Sequence, residues 1–533
     1  ELGLVLGDRV VITAPNCLLQ VYSRVCLSVS GLLELGLVLG DRVVITAPNC
    51  LEYLDVLLGC SRVGVCLILI KSGSTPEELM TLVDRYKVKV VIVHSGGDAS
   101  FGTSVVGKCN DFNHPMELVK VVCVDFHEDA SFCTTYSTML HKDLSETQTA
   151  AVFAAQQKVQ MEDPLLALLT SGSTGPPKAC LFNHFQFIRV SLNNMAAGSV
   201  PDGARFFNDR PFSWKVGVAA GLNFIPVRGI TLISQPSAVS VTRGDLETSF
   251  RIMRTERCTH AVIMPYMLYD ISKAKPSTGP ELPPLLYGLT TGQVTQTDVI
   301  KSCVEKYPGL IILNIYGATE IDGWPSEEYA ADNTESGALG WFKIQEGVEV
   351  KVVDDEGRMV PRGERGELYV RGPAVFEGYL DDENLTANAL TPLRWFKTGD
   401  LAVMNDLDHI RILGRKSFAI KRATVYVNPA DVESVLSENP LISQVAVVGV
   451  PDPRLHEELC ACIIPSNDPE TESEEVILKE IRDWCRKQFL PGPDGLTLAP
   501  RYFLLFSAFP LSHSGKTQQQ ELRKLAIEKL GLL

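Results

Sequence analysis

LLALLTSGSTGPPKAC, residues 165–180, decides the architecture. It opens on an apolar run of strand length, Leu165 to Thr170, passes through a loop of small residues, and leads into FNHFQFIRVSLNN at 182–194, whose spacing is helical. A strand turning into a helix through a short loop is the unit from which layered α/β sheets are built. The loop itself suits phosphate. Gly172 and Gly175 let a ligand approach the backbone. The amides and the hydroxyls of Thr170, Ser171, Ser173 and Thr174 can donate to oxygens, and Lys178 supplies charge. A Gly-Ser-Thr-Gly tetrapeptide alone is ordinarily a turn; the preceding strand, the two prolines and Lys178 are what point to a nucleotide. The P-loop of ordinary NTPases is excluded, because it requires Gly, four residues, then Gly-Lys-Ser/Thr. The later Gly515-Lys516-Thr517 fails the same pattern, since the required first glycine falls at Pro510.

Working outward, short Val- and Ile-rich runs (KVVIVHS, LVKVVCVDF, LIILNIYG) alternate with longer amphipathic stretches up to about residue 410, which predicts layered α/β structure with largely parallel strands. Residues 347–373, GVEVKVVDDEGRMVPRGERGELYVRGP, alternate with period two between turn signals and predict antiparallel, β-barrel-like structure. The fold class expected is therefore α/β: a large N-terminal domain of mixed and parallel sheets with helices, then a small α+β C-terminal domain. A chain of 533 residues exceeds what one core fills, since single cores stop growing at roughly 250 to 300 residues. The boundary is placed in GRKSFAIK, giving a large domain at 34–413 and a small one at 414–533.

Residues 1–18, ELGLVLGDRVVITAPNCL, recur identically at 34–51. A stacked repeat needs at least three units, so a solenoid is excluded. An exon duplication or a gene-prediction error explains the pair better, and only the second copy runs on into EYLDVLLGCSRVGVCLILI. Residues 1–33 are read as a doubtful duplicated segment and the large domain as N-terminally truncated.

A net charge of −15 disfavours nucleic acid or an anionic membrane as partner. No apolar stretch reaches the roughly 18 residues of a membrane span. Fourteen cysteines lack any Cys-x-x-Cys pair and several lie in apolar runs, so they read as reduced core thiols of an intracellular protein, cytoplasmic or mitochondrial.

Five motifs occur in order: TSGSTGPPK at 170–178, YGATE at 316–320, TGD at 398–400, GRKSFAIK at 414–421 and SHSGKTQQQELR at 512–523. With them the chain resembles the adenylate-forming superfamily of acyl-CoA synthetases, luciferases and peptide-synthetase adenylation domains from 34 to 533. VVGVPDPRLHEELCACIIP is most similar to the acyl-CoA synthetase branch, of the medium-chain fatty-acid kind. The resemblance implies an acid–thiol ligase: a carboxylate attacks the α-phosphorus of ATP, pyrophosphate leaves, and the thiol of coenzyme A takes the acyl group. Its cofactors and partners are ATP, Mg²⁺, CoA and a small-molecule carboxylic acid. By resemblance, Glu320 binds Mg²⁺, Thr319 donates to the α-phosphate, Tyr316 stacks on adenine beside Gly317 and Gly292, Asp400 accepts the ribose hydroxyls, Arg415 supports ribose or phosphate, and Lys516 carries the adenylation step. The small domain of such enzymes rotates between the two half-reactions.

The chain also departs from that pattern. Ser417 and Phe418 stand at the pivot, Ala423 and Thr424 replace a glycine pair beside the thiol path, and Thr291 replaces a glycine ahead of Gly292. Ser213 or Trp214 takes the place of an acyl-pocket histidine. A β-branched Thr424 adds bulk and disfavours positive φ. Two alternatives therefore stand beside the ligase: an adenylating enzyme with a lost or slow CoA step, and a non-catalytic nucleotide-binding paralogue.

Overall fold

The computed structural model describes residues 4–6, 9–12, 18–96, 98–111, 120–126, 132–140, 144–170, 178–235, 246–273, 286–292, 297–321, 325–331, 340–422, 425–466, 473–490, 497–511 and 517–532. They fall into two compact units, Glu1–Glu349 with Arg371–Trp395, and Val350–Val370 with Phe396–Leu533.

In the first unit both copies of the repeat lead into a helix. Arg9–Ile12 (β1) precedes α1 (Leu18–Glu34), and Arg42–Thr46 (β2) precedes α2 (Leu51–Val63). The identical Arg-Val-Val-Ile takes two places. In β1 it lies antiparallel to Thr231–Ser234 in a nine-stranded sheet, and in β2 it lies between two parallel neighbours in an eight-stranded one. Val and Ile favour a strand in either place, whereas the sheet each copy joins is set by the different segments downstream of it. Val25, Val29 and Leu32 of α1 are buried, and Arg24 reaches Asp55 on α2.

The eight-stranded sheet carries the phosphate-loop strand. After β2 come Cys66–Ile70 (β3), Val90–Val93 (β4), Lys120–Cys123 (β5), Cys133–Thr135 (β6), Pro164–Thr170 (β7) and Lys178–Asn183 (β8). Strands β2 to β6 run parallel in the order β3-β2-β4-β5-β6, a doubly wound arrangement whose reversal lies at β2 and β4. Strand β7 extends it in parallel beside β3, and β8 returns antiparallel with Thr170 opposite Lys178. Strands β2 to β5 are buried on both faces, which is why they read as apolar runs. In the nine-stranded sheet, Leu286–Thr291 (β9) and Leu310–Ile315 (β10) pair in parallel at its functional end.

The antiparallel section expected at 347–373 contributes two strands, Glu349–Val353 and Arg365–Arg371, to an open four-stranded sheet, and no closed barrel occurs among the described residues. Alternation fixes which face is buried, but closure depends on edge strands meeting, which the sequence pattern does not encode. Here Phe396–Met404 and Ile410–Arg415 pair antiparallel across the motif residues of the second unit. No disulfide is seen among the described cysteines, and all of them but Cys26 and Cys133 are buried. No helix among the described residues is long and apolar enough to cross a membrane.

The helix Pro429–Leu436 packs on the strand Ile442–Asp452 of the second unit, with Asn428 accepting from the Ala430 amide and Pro429 opening the first turn. Its Glu433 accepts the Val447 N–H at 2.7 Å, and burial pushes that carboxyl up to about 7 from 4.5. The folded state then holds a proton that the unfolded chain has released, so the carboxyl costs stability progressively as pH rises from 4.5 to 7. Glu433→Gln is expected to flatten that loss in chemical-denaturation midpoints taken across this window. An unchanged slope would show that Glu433 titrates as in the unfolded chain.

Candidate active site

In the first unit the site is built on β8 and its neighbours. Gly378–Tyr379 (β11) pairs antiparallel with β8 and sets Tyr379 opposite Cys180. The Tyr379 hydroxyl donates to Glu320 Oε1 at 2.8 Å, and Lys178 Nζ stands 5.4 Å from the centre of the same ring. The Glu320 carbonyl accepts the Phe376 N–H at 2.9 Å, so both its backbone and its carboxylate are held. Lys215 donates to the Thr319 carbonyl at 2.9 Å and lies 4.6 Å from the Phe182 ring centre. The electrostatics of Cys180 report the same clustering. Burial pushes its thiol up, the Glu320 charge adds to that, and Lys215 and Lys178 oppose it. Two cations and one anion thus converge around β8, where the phosphate-loop strand pair meets YGATE.

At the carboxyl ends of the adjacent strands β9 and β10 stand Gly292 and Tyr316. Gly292 has φ +90°, which a residue with a Cβ adopts only under strain, and this explains why the second glycine position is kept while Thr291 ends the strand as an ordinary extended residue. Tyr316 and Gly317 come directly after Ile315, and Thr319 and Glu320 close the turn.

In the second unit Asp400 and Arg415 face each other in register across an antiparallel pair. Arg415 Nε lies 3.0 Å from Asp400 Oδ1, and its guanidinium also donates to the Thr398 carbonyl at 2.7 Å. The Asp400 amide donates to Thr398 Oγ1 at 3.0 Å, and Gly399 between them has φ +71°. The Asp400 side chain is 9% exposed, while that of Arg415 is 47% exposed, so the carboxylate is fixed from behind by a largely solvated cation. Lys416 in the neighbouring turn pairs with Glu367 and Asp355, which hold its ammonium charged.

Of the residues read from the sequence, Thr170, Lys178, Gly292, Tyr316, Gly317, Thr319 and Glu320 lie in the first unit, and Asp400 and Arg415 in the second. Ser171, Gly172, Ser173, Thr174, Gly175 and Lys516, with Ala423 and Thr424, lie outside the described residues. Sequence reasoning missed Tyr379 and Lys215. Lys215 was within reach, one residue past the Ser213-Trp214 pair. Tyr379 was not, because only the β8–β11 register brings it to Glu320. Tyr379→Phe keeps the ring and removes the hydroxyl. Loss of one hydrogen bond to a charged group is worth about 1.5 kcal/mol, so roughly a tenfold drop is expected in the activity that the sequence resemblance implies, acid-dependent ATP–pyrophosphate exchange; unchanged exchange would show the hydroxyl is idle.

In the first unit a carboxylate is held by Tyr379 among two lysines, and in the second an Asp–Arg pair stands on a glycine turn, each an arrangement suited to a nucleotide-handling class of protein. Residues 19–380 match the AMP-binding enzyme family, and residues 431–516 match the AMP-binding enzyme C-terminal domain. The chain belongs to this family. It is similar to the mitochondrial medium-chain acyl-CoA ligase ACSF2 of Danio rerio, 29% identical over 423 residues, which cover 78% of this chain and 66% of that protein. The chain thus spans just under two thirds of this curated relative's length. It is also similar to the putative acyl-CoA synthetase YngI of Bacillus subtilis, 27% identical over 496 residues, covering 90% and 86%. The solved Mycobacterium tuberculosis fatty acyl CoA synthetase superposes with a TM-score of 0.68 at 21% identity, over 96% of this chain and 93% of that one. The family match begins within the duplicated segment, at a residue of α1.

Proposed function

We propose that this chain is an AMP-forming acid–thiol ligase that activates a carboxylic acid, most simply a medium-chain fatty acid, and passes it to CoA. The observation that carries the reading is Glu320, held by Tyr379 at 2.8 Å with Lys178 over the same ring. No side-chain nucleophile is needed. The substrate carboxylate attacks the α-phosphorus of ATP, the bond to pyrophosphate breaks, and the CoA thiol then attacks the acyl carbon, releasing AMP and a proton. Catalysis is mainly positioning and charge stabilisation.

In this proposal Thr170, Ser171, Gly172, Ser173, Thr174, Gly175 and Lys178 hold the pyrophosphate portion of ATP. Gly292, Tyr316 and Gly317 receive adenine, Asp400 the ribose hydroxyls with Arg415 behind it, and Thr319 the α-phosphate. Lys516 meets the charge developing between carboxylate and phosphorus. Glu320 offers a hard carboxylate oxygen fixed by a neutral donor, a chemistry that fits Mg²⁺. When bound there, the ion neutralises phosphate oxygens. Lys178 and Lys215 add fixed positive charge around β8, and Tyr379 keeps Glu320 aimed.

Residues 34–413 are proposed to bind ATP and acid and 414–533 to act as the mobile module. An intracellular, mitochondrial setting belongs to the same proposal, supported by the compartment named for ACSF2 and by the burial of most described cysteines as thiols. Ala423 and Thr424 favour one second reading, adenylation with a slow CoA step.

One experiment tests both readings: ATP–pyrophosphate exchange over a panel of aliphatic chain lengths and aryl acids, repeated with CoA. The ligase gives acid-dependent exchange and CoA-dependent AMP release. Exchange without acyl-CoA selects the second reading, and absence of both across the panel overturns adenylation.

A further inference from the structure

Three metal-ligating side chains from two stretches of chain converge at the carboxyl edge of the parallel sheet. Cys50 Sγ, a Glu52 carboxylate oxygen and a His94 ring nitrogen all lie within 4.8 Å of one another. Cys50 sits in the turn after β2 and caps the start of α2 with extended backbone, Glu52 lies in that helix's first turn, and His94 comes directly after β4. Strands β2 and β4 flank the winding reversal, the position where doubly wound sheets open a crevice.

The chemistry of each group is arranged for a cation. Cys50 is buried, while Glu52 and His94 are partly exposed, so the cluster is closed on one side and open on the other. The imidazole has two partners at Nδ1: the Gly96 N–H, which it accepts at 3.0 Å, and Asp125 Oδ2, 3.1 Å away. Asp125 is itself fixed by the Ser95 amide and hydroxyl, both at 2.6 Å. Moving the ring proton to Nδ1 exchanges the amide for the Asp125 carboxylate as its partner and leaves the Nε2 lone pair for a metal; metal-bound histidines are commonly held this way by a carboxylate.

We propose that Cys50, Glu52 and His94 form a site for a borderline divalent cation of the Zn²⁺ type, with Asp125 positioning the histidine. Thiolate, imidazole and carboxylate together select such an ion over Mg²⁺ or Ca²⁺. Usual zinc–ligand lengths put tetrahedral donors about 3.3 to 3.8 Å apart, so modest side-chain rotation closes the set. Three protein ligands leave the fourth position to water. Binding displaces the thiol proton to solvent and changes no oxidation state. The ion would tie the turn after β2 to the turns after β4 and β5, on the same sheet edge that Thr170 ends.

The test is titration of the full chain with Co²⁺ as spectroscopic probe, then Zn²⁺ competition. Expected are a thiolate-to-cobalt charge-transfer band saturating at one equivalent, its loss on Zn²⁺ addition, and its absence in Cys50→Ser. Serine is a favourable N-cap, so that variant keeps the start of α2, which its unfolding midpoint will report. Asp125→Asn should retain the band and weaken Co²⁺ binding roughly 10- to 100-fold. No band at one equivalent in the unaltered chain, or a band that survives Cys50→Ser, overturns the site.

Discussion

Lys516→Ala is expected to lower acid-dependent ATP–pyrophosphate exchange roughly 100- to 1,000-fold, the scale of losing one preorganised charge aimed at a transition state. The described residues on either side of 512–516 are held to each other. Leu511 and Thr517 form an antiparallel bridge, the Gln518 amide donates to the Pro510 carbonyl at 2.8 Å, and its side chain donates to the Leu511 carbonyl at 2.8 Å. The ends of the segment holding Lys516 are therefore pinned together, and alanine at its last position leaves that clasp intact. Charge is needed most when carboxylate and phosphate oxygens are driven together, and much less when a thiol attacks the finished adenylate. Thioester formation from supplied acyl-adenylate should accordingly persist in the variant. Exchange at the unaltered rate would remove Lys516 from the adenylation step. Loss of both half-reactions with a normal unfolding midpoint would give it a different role.

Arg24→Ala carries the largest expected stability effect. Asp55 is 1% exposed, Arg24 meets it with Nε at 3.0 Å from Oδ2, and the Tyr136 hydroxyl donates to the same oxygen at 3.2 Å. Burial raises the Asp55 carboxyl above its usual range, with Arg24 the main influence pulling it back. Deleting the cation strands a buried carboxylate, which costs about 3–5 kcal/mol in comparable pairs. Without Arg24 the folded-state value rises further, so the penalty is greatest at neutral pH and shrinks as acid protonates Asp55. A double replacement, Arg24→Met with Asp55→Leu, should recover most of the loss, because it removes the charge and its partner together. Denaturant midpoints at neutral and acid pH check this. No loss in Arg24→Ala would mean that α1 does not pack on α2 in solution.

The parts of the site legible in the sequence are those whose chemistry resides in contiguous residues. Thr170 to Lys178, Tyr316 to Glu320 and Gly399-Asp400 each hold donors, turn glycine and charge within a few positions, and so declare themselves. The Asp400–Arg415 pairing is half legible: both residues stand in motifs, but only the hairpin register sets them side by side. Tyr379 and Asp55 were opaque for one reason. Each acquires its meaning from a partner supplied by a distant element, Glu320 in one case and Arg24 in the other, and tertiary pairing leaves no periodic trace. The layered α/β class could be read from apolar runs alternating with amphipathic ones, whereas the strand order β3-β2-β4-β5-β6 depends on crossover geometry that no single strand encodes.

The two copies of Arg-Val-Val-Ile occupy different sheets, though nothing in the strands themselves distinguishes them. On a ribosome the first copy emerges 33 residues before its twin, when neither sheet exists. Strands β3 and β4 both follow the second copy in the chain, so when the slot between them forms both copies are present as claimants, and only the second is joined to β3 through α2 alone. Seating is thus settled by the company each copy keeps.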